Sequence, residues 1–222
     1  MSLFSYLFLG IQFIILPWLS FQSRDLIETE DHEEVIPSRR ALYFQSVVML
    51  SLLGGLAALV DWKEGLIVQW FHPITGFYLL LALGLYGIGM FMNYIHFKYF
   101  EKESDIVTTD FILPQKSQEY LPWVLVCITA AWAEEYIYRG VLPGLLHHHG
   151  MLYILAVILS AVAFSFSHYT QGALAVVITF IFALGFQYLY HVSQSLLLPM
   201  LVHLFYNFSV EFLRRTLMKS TS

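Results

Sequence analysis

Two adjacent glutamates lie within an apolar run in the second half of the chain. Glu134 and Glu135 follow Ala-Trp-Ala and precede Tyr-Ile-Tyr, and Arg139 comes four residues after Glu135. Residues four apart share one face of an α-helix, so Glu135 and Arg139 can form an ion pair. Glu134 projects about 100° away on the same helix and can face a different cavity. A carboxyl group that is desolvated among apolar helices becomes a useful base near neutral pH.

Further polar groups occur in the apolar segments that follow. His168 comes after Phe164-Ser-Phe-Ser at the end of one segment, and His203 and Asn207 are four residues apart in the last one. A histidine can orient a water molecule or transfer a proton, and an asparagine amide can donate to an oxyanion. Together with Glu134, these groups provide the parts that hydrolysis of a peptide bond requires. The chain has no Gly-x-Ser-x-Gly turn and no His-Glu-x-x-His helix.

The composition is that of an integral membrane protein. Of the 222 residues, 58% are hydrophobic and 12% are charged, whereas soluble domains contain about 25% charged residues. We predict an all-α, polytopic transmembrane bundle that forms one domain over residues 1–222, with about seven spans and room for an eighth helix around Phe97–Glu103. A span needs roughly 20 apolar residues, and the predicted spans are Leu3–Phe21, Ala41–Val60, Pro73–Ile95, Leu121–Leu142, Met151–His168, Gly172–Tyr190 and Ser195–Leu213.

The charges in the loops predict the orientation of these spans. Lysine and arginine concentrate in the first loop, the third loop and the C-terminal tail, whereas the second loop contains only Lys63. Because cytoplasmic loops are rich in these residues, we expect the N-terminus outside and the C-terminus in the cytoplasm. The acidic residues lie mostly between Asp25 and Glu34. The chain has no basic stripe, so nucleic acid is not expected as a partner.

Ionisable groups inside spans require an explanation, because each costs roughly 2.5 to 3.5 kcal/mol on insertion scales. We interpret the pair of Glu135 with Arg139 as structural, and Glu134 as functional. His168 alone could be an interfacial histidine, and His203 with Asn207 could form a hydrogen-bonded clamp between helices.

Two other reactive groups are interpreted as structural. His147-His148-His149 follows Pro143-Gly144 in what we predict to be a short loop, and this tract is assigned no metal. Cys127 is the only cysteine, which excludes an intrachain disulfide.

The three motifs together resemble the signature of the CAAX prenyl endopeptidase type II family. This family is also called the CPBP (CAAX protease and bacteriocin-processing) or ABI family of glutamic intramembrane proteases. Each motif alone is weak evidence, but here they occur in the family's order on successive predicted helices within residues 121–213. The first 120 residues show nothing diagnostic, and their role is not assigned. The matching motifs are Glu134-Glu135-x-x-x-Arg139, Phe164-x-x-x-His168 and His203-x-x-x-Asn207.

The resemblance implies about eight helices around a water-filled cavity that opens to the membrane. It implies that Glu134 activates water with His168 and His203, that Asn207 helps hold the oxyanion, and that the neighbouring glutamate and arginine form a supporting pair. Our leading hypothesis is a metal-free endopeptidase, which we expect in a prokaryotic cell membrane. Its substrate would be a membrane-anchored or lipidated protein or peptide.

Other functions stay open on the sequence. The same glutamate and histidines could hold a zinc ion with an open position for water. Intramembrane Glu and His also occur in proton-coupled carriers, although no inverted repeat or pair of broken helices is apparent. A non-catalytic scaffold that binds a partner is a third possibility.

The predicted spans place two site residues at different depths. Glu134 lies near the middle of the fourth span, whereas His168 lies at the cytoplasmic end of the fifth. They can meet only if the fifth helix is shifted or if Ser167–Gln171 re-enters the bundle.

Overall fold

Helices make up the described parts of the chain, as the sequence predicts. The computed structural model describes residues 1–29, 38–100 and 113–219, and within these ranges it contains seven helices and no strand. In the stretch predicted to hold an eighth helix, Phe97–Tyr99 belong to the helix that begins at Gly76, and residues 101–103 lie outside the described ranges, as do residues 30–34 of the acidic stretch. In chain order, α1 comprises Leu3–Gly10, the π-helical turn Ile11–Ile15 and Leu16–Thr29; α2 is Arg39–Glu64; α3 is Gly76–Tyr99; α4 comprises Ser117–Glu135, the π-helical Tyr136–Val141 and Leu142–His148; α5 is Tyr153–Phe166; α6 is Ala173–Ser193; and α7 is Leu197–Lys219.

The outer surface of the bundle is suited to lipid. Among the described residues, four helices are long and apolar enough to cross a membrane, namely α1, α2, α3 and α6. At most 28% of each apolar stretch is buried inside the chain, and large side chains such as Leu3, Leu80 and Phe205 are exposed. Soluble monomers rarely expose extended apolar surface. The chain is therefore an integral membrane protein.

The fifth helix is shorter than the predicted span. α5 ends at Phe166, and the 3₁₀ turn Tyr169–Gln171 leads into α6. At roughly 1.5 Å per residue, its 14 residues extend about 21 Å, less than the ~30 Å of a hydrocarbon core. Measured from the turn between α4 and α5, His168 lies about as far along α5 as Glu134 lies along α4. The predicted difference in depth between these two residues disappears because α5 is short.

The first helix packs against the turn after α5. The backbone N–H of Thr170 donates to Ser20 Oγ at 3.0 Å, and the rings of Phe21 and Tyr169 stack with centroids 4.0 Å apart. α1 also contacts α5 and α2. The N-terminal helices thus support the part of the chain that carries His168.

The fourth helix is longer than predicted and changes its winding in the middle. Pro143 lacks the N–H that would bond to the Arg139 carbonyl in a regular α-helix, and the preceding residues Tyr136–Val141 are π-helical. Gln187 of α6 donates to the Arg139 carbonyl (3.4 Å), and Ser160 of α5 donates to the Tyr138 carbonyl (2.6 Å). Neighbouring helices therefore satisfy the carbonyls of this segment. π-Helical turns within α-helices are frequent at functional sites.

One glycine lets the third helix approach two others closely. A Cβ atom on Gly89 would lie 2.1 Å from a ring carbon of Phe182 and 2.9 Å from one of Tyr206. At Gly84 on the same helix, a Cβ would meet nothing within 4 Å. The glycine-rich sequence of α3 thus serves close helix packing at Gly89, where α6 and α7 meet α3.

We expect Gly89→Ala to destabilise the protein and Gly84→Ala to be tolerated. Forcing a methyl group into a tightly packed contact costs about 1–3 kcal/mol, and the Phe182 ring is too enclosed to move freely. Thermal melts in detergent measure the difference, with Gly84→Ala as the matched control on the same helix. Equal melting temperatures for the two variants would contradict the close contact.

Candidate active site

A cavity of about 540 Å³ lies between the helices, within the range of roughly 300–1,000 Å³ that is typical of ligand sites. It occupies the half of the bundle that contains the C-terminal ends of α1 and α3 and the N-terminal ends of α2 and α4. The orientation predicted from the loop charges makes this the cytoplasmic half. Glu134, His168, His203 and Asn207 all line the cavity. The structure thus brings together four residues that the sequence singles out on three helices.

Glu134 and His203 face each other across the deep end of the cavity. The Oε2 atom of Glu134 lies 3.7 Å from Nε2 of His203, which is longer than a direct hydrogen bond. A water molecule at this position can hydrogen-bond to both atoms. The Glu134 side chain is 17% exposed, so its carboxylate is reachable from the cavity although most of its surface is buried.

Glu135 contacts two charged or polar partners rather than one. Its Oε2 atom lies 3.0 Å from Nε of Arg139, and its Oε1 atom lies 2.8 Å from Nδ1 of His203. A carboxylate can only accept hydrogen bonds, so Nδ1–H of His203 donates to it. The neutral imidazole then has its lone pair on Nε2, the nitrogen nearest to Glu134. The sequence indicated the contact with Arg139 but not the contact with His203, since the latter joins two helices.

The last turn of α5 orients the second histidine in the same way. Nδ1 of His168 lies 2.8 Å from the carbonyl oxygen of Phe164 and 3.2 Å from Ser167 Oγ. Because the carbonyl can only accept, Nδ1–H donates to it and Nε2 keeps its lone pair. The Phe164 ring also packs edge-on against the imidazole, with centroids 4.6 Å apart. Both histidines therefore have Nε2 available as a hydrogen-bond acceptor.

Arg139 is buried beside both histidines without lining the cavity. Its guanidinium carbon lies 4.5 Å from the centre of the Phe164 ring and 5.4 Å from that of Phe186. Its two terminal nitrogens have no hydrogen-bond partner among the described residues, so Glu135 and the two rings stabilise its charge. Phe164 packs on His168 and Phe186 packs on His203. Arg139 is thus part of the framework behind the imidazoles.

Two further residues of the cavity wall, Asn93 and Tyr206, were not predicted from the sequence. Asn93 of α3 donates its amide to the Tyr206 hydroxyl and to the Gly89 carbonyl (3.1 Å), and both Asn93 and Tyr206 line the cavity. Tyr138 packs on Phe164 and also lines it. Asn93 is the only amide side chain in its predicted span, which is the signal that could have drawn attention to it.

A comparison with known protein families matches the part of the chain that contains the site. Residues 116–209 match the family described as type II CAAX prenyl endopeptidase Rce1-like. The matched segment begins at α4, ends within α7 and contains all six predicted site residues. No curated protein and no solved structure matches the chain. Because the matched family is one of proteases, the match supports a CAAX-type intramembrane protease function. Residues 116–209 are therefore similar to the type II CAAX prenyl endopeptidase family, the same family that the motifs predict.

Proposed function

We propose that this chain is a glutamic intramembrane endopeptidase that cuts near the end of a membrane-anchored or lipidated protein or peptide. One observation carries the proposal: Glu134 and His203 lie 3.7 Å apart in a cavity that His168 and Asn207 also line. The apolar outer surface of the bundle suits a substrate that arrives from the bilayer. The family match supports the same reaction class.

In the proposed mechanism, Glu134 takes a proton from a water molecule held between its carboxylate and Nε2 of His203. The water oxygen bonds to the carbonyl carbon of the scissile peptide, and the Asn207 amide donates a hydrogen bond to the resulting oxyanion. Collapse of this intermediate breaks the C–N bond, and the proton on Glu134 passes to the leaving nitrogen. His168 accepts a hydrogen bond through Nε2 and holds the water or the leaving amine in place.

Glu135 acts in this mechanism as a positioning residue. Its hydrogen bond to Nδ1 of His203 sets the tautomer and the ring orientation that present Nε2 to the water. Arg139 balances the buried charge of Glu135 at 3.0 Å. The ion pair that the sequence assigned to structure therefore also contributes to the geometry of the site.

A zinc-dependent version of the reaction is less well supported. A zinc ion would require one ligand atom from each of Glu134, His168 and His203 to converge on one point. Among the described residues, these three do not form a group whose ligand atoms lie within 4.8 Å of one another. We therefore propose the metal-free mechanism and retain zinc as the alternative that experiment must exclude.

The lining of the cavity favours an apolar or lipid-bearing substrate. Its wall contains apolar side chains from α1 and α2, including Leu16, Leu19, Met49, Leu50 and Leu53. The cavity occupies the half of the bundle that is predicted to face the cytoplasm. We therefore expect the cleaved bond to lie in the cytoplasmic half of the membrane.

Comparative mass spectrometry of membrane proteins tests this function. We expect shortened termini to appear in membranes that contain the chain, to be absent from membranes without it, and to persist when a zinc chelator is added. Absence of any chain-dependent shortening would favour a scaffold or a carrier. Products that disappear with chelator and return with zinc would show a zinc enzyme.

A further inference from the structure

A second cluster of chemically active side chains lies at the opposite end of the bundle from the cavity. Glu64 is the last residue of α2, His148 is the last residue of α4, and His149 follows it. One carboxylate oxygen and one ring nitrogen from each histidine lie within 4.8 Å of one another. We propose that Glu64, His148 and His149 form a zinc-binding site.

The carboxylate of this cluster is held in place by the start of the first helix. Oε1 of Glu64 accepts hydrogen bonds from the backbone N–H of Ser2 (2.6 Å) and from the Ser5 hydroxyl. Its other oxygen, Oε2, lies 2.9 Å from Nε2 of His149. Groups that hydrogen-bond to a metal ligand fix its orientation and raise the affinity for the metal. Glu64 is thus positioned before any metal binds.

The end of α4 explains how two consecutive histidines can bind the same metal ion. Neighbouring residues in an α-helix project about 100° apart, so adjacent imidazoles do not normally converge. His149 leaves the helix with φ −92° and ψ 21°, and Gly150 continues the turn with φ +96°. The two rings are nearly perpendicular, with centroids 5.1 Å apart. The helix end therefore brings both imidazoles toward Glu64.

The donor set is that of an open zinc site. Zinc takes imidazole nitrogens at about 2.0–2.1 Å and carboxylate oxygens at about 2.0–2.2 Å, with water in the fourth position when three protein ligands are present. The observed spacing, from 2.9 Å to at most 4.8 Å, brackets the separation of tetrahedral ligands. Magnesium and calcium prefer oxygen ligands and do not suit two imidazoles. Small rotations of the exposed histidines are enough to complete the site.

This site is separate from the cavity and does not depend on the proposed protease function. His148 is about 21 Å from Glu134 along α4, at roughly 1.5 Å per residue. A bound zinc would link α2 to α4 and, through Glu64, to the start of α1. Because it binds the folded chain, zinc should raise the melting temperature.

Titration of the full-length protein with zinc chloride in detergent tests the inference. We expect one zinc per chain by isothermal calorimetry and a rise in melting temperature that magnesium does not produce. His148→Gln and His149→Gln should each weaken zinc binding by about tenfold or more. The matched control is His147→Gln, since Nδ1 of His147 lies 2.9 Å from the Met151 carbonyl and His147 is not in the cluster.

Two results would overturn the site. One is a wild-type chain that binds no zinc; the other is zinc binding by His148→Gln and His149→Gln that equals that of His147→Gln. If His149→Gln lowers the metal-free melting temperature while zinc leaves the melting temperature of the wild type unchanged, the contact is only an ion pair with Glu64 and the zinc site is refuted. Melts without zinc show whether each variant folds.

The site also affects how metal analysis of the protease is interpreted. A purified chain that contains zinc at Glu64 need not be a zinc enzyme. We expect a chelator to lower the melting temperature of the wild type while cleavage continues. Loss of cleavage in His148→Gln would contradict the separation of the two sites.

Discussion

Glu134→Gln is expected to abolish cleavage while leaving the fold intact. The amide keeps the size and shape of the side chain but cannot take a proton from water. General-base catalysis contributes typically about 10²–10⁴-fold, so we expect the rate to fall by at least that factor. The measurement is the initial rate of cleavage of a membrane-anchored peptide by the chain in proteoliposomes.

Glu119→Gln is the matched control for this loss. It makes the same change near the start of the same helix, where the Glu119 carboxylate accepts the backbone N–H groups of Gln115 (2.8 Å) and Lys116 (3.1 Å). Glu119 does not line the cavity, so cleavage should persist. Full activity in Glu134→Gln would rule out Glu134 as the base, and equal losses in both variants would point to damage to the fold.

Arg139→Ala is expected to cause the largest loss of stability among the site variants, exceeding that of Glu134→Gln. The side chains of Arg139 and Glu135 are 1% and 0% exposed, and they pair at 3.0 Å. Removing one partner of a buried pair costs about 3–5 kcal/mol, because Glu135 loses its counter-charge and keeps only the hydrogen bond from His203. The variant also loses the contacts of the guanidinium with Phe164 and Phe186. Thermal melts in detergent measure the effect.

Arg215→Ala serves as the control for the loss of an arginine. Arg215 also pairs with a glutamate one turn away, Glu211, but its side chain is 35% exposed. The Glu211 side chain is 7% exposed, so only the arginine end of this pair reaches water, whereas both ends of the Arg139 pair are buried. Because water can partly replace the exposed guanidinium, we expect a smaller shift in melting temperature than for Arg139→Ala. A larger loss of stability in Arg215→Ala than in Arg139→Ala would contradict the structural role of the buried pair. A larger loss in Glu134→Gln than in Arg139→Ala would contradict it as well.

The spans were predictable because lipid selects for apolar runs, and the predicted helical bundle is confirmed. Their ends were less predictable, because hydropathy records polarity rather than backbone conformation. The polar tract His147–His149 was assigned to a loop, although α4 continues through His148. Conversely, the apolar run up to His168 indicated a full span, although the helix ends at Phe166.

The amino-acid sequence by itself determined the membrane class, the resemblance to a protease family and the pairs within one helix. Glu135 and Arg139 could be paired from their spacing, since a helix repeats every 3.6 residues wherever it lies. Only the tertiary structure decided which groups meet across helices, such as Glu135 with His203 or Glu64 with His149. Those contacts depend on the depth and rotation of two helices. Helix packing sets this depth and rotation, through features such as the close approach at Gly89 and the π-helical turn before Pro143. The spacing of residues along the sequence does not encode the depth and rotation.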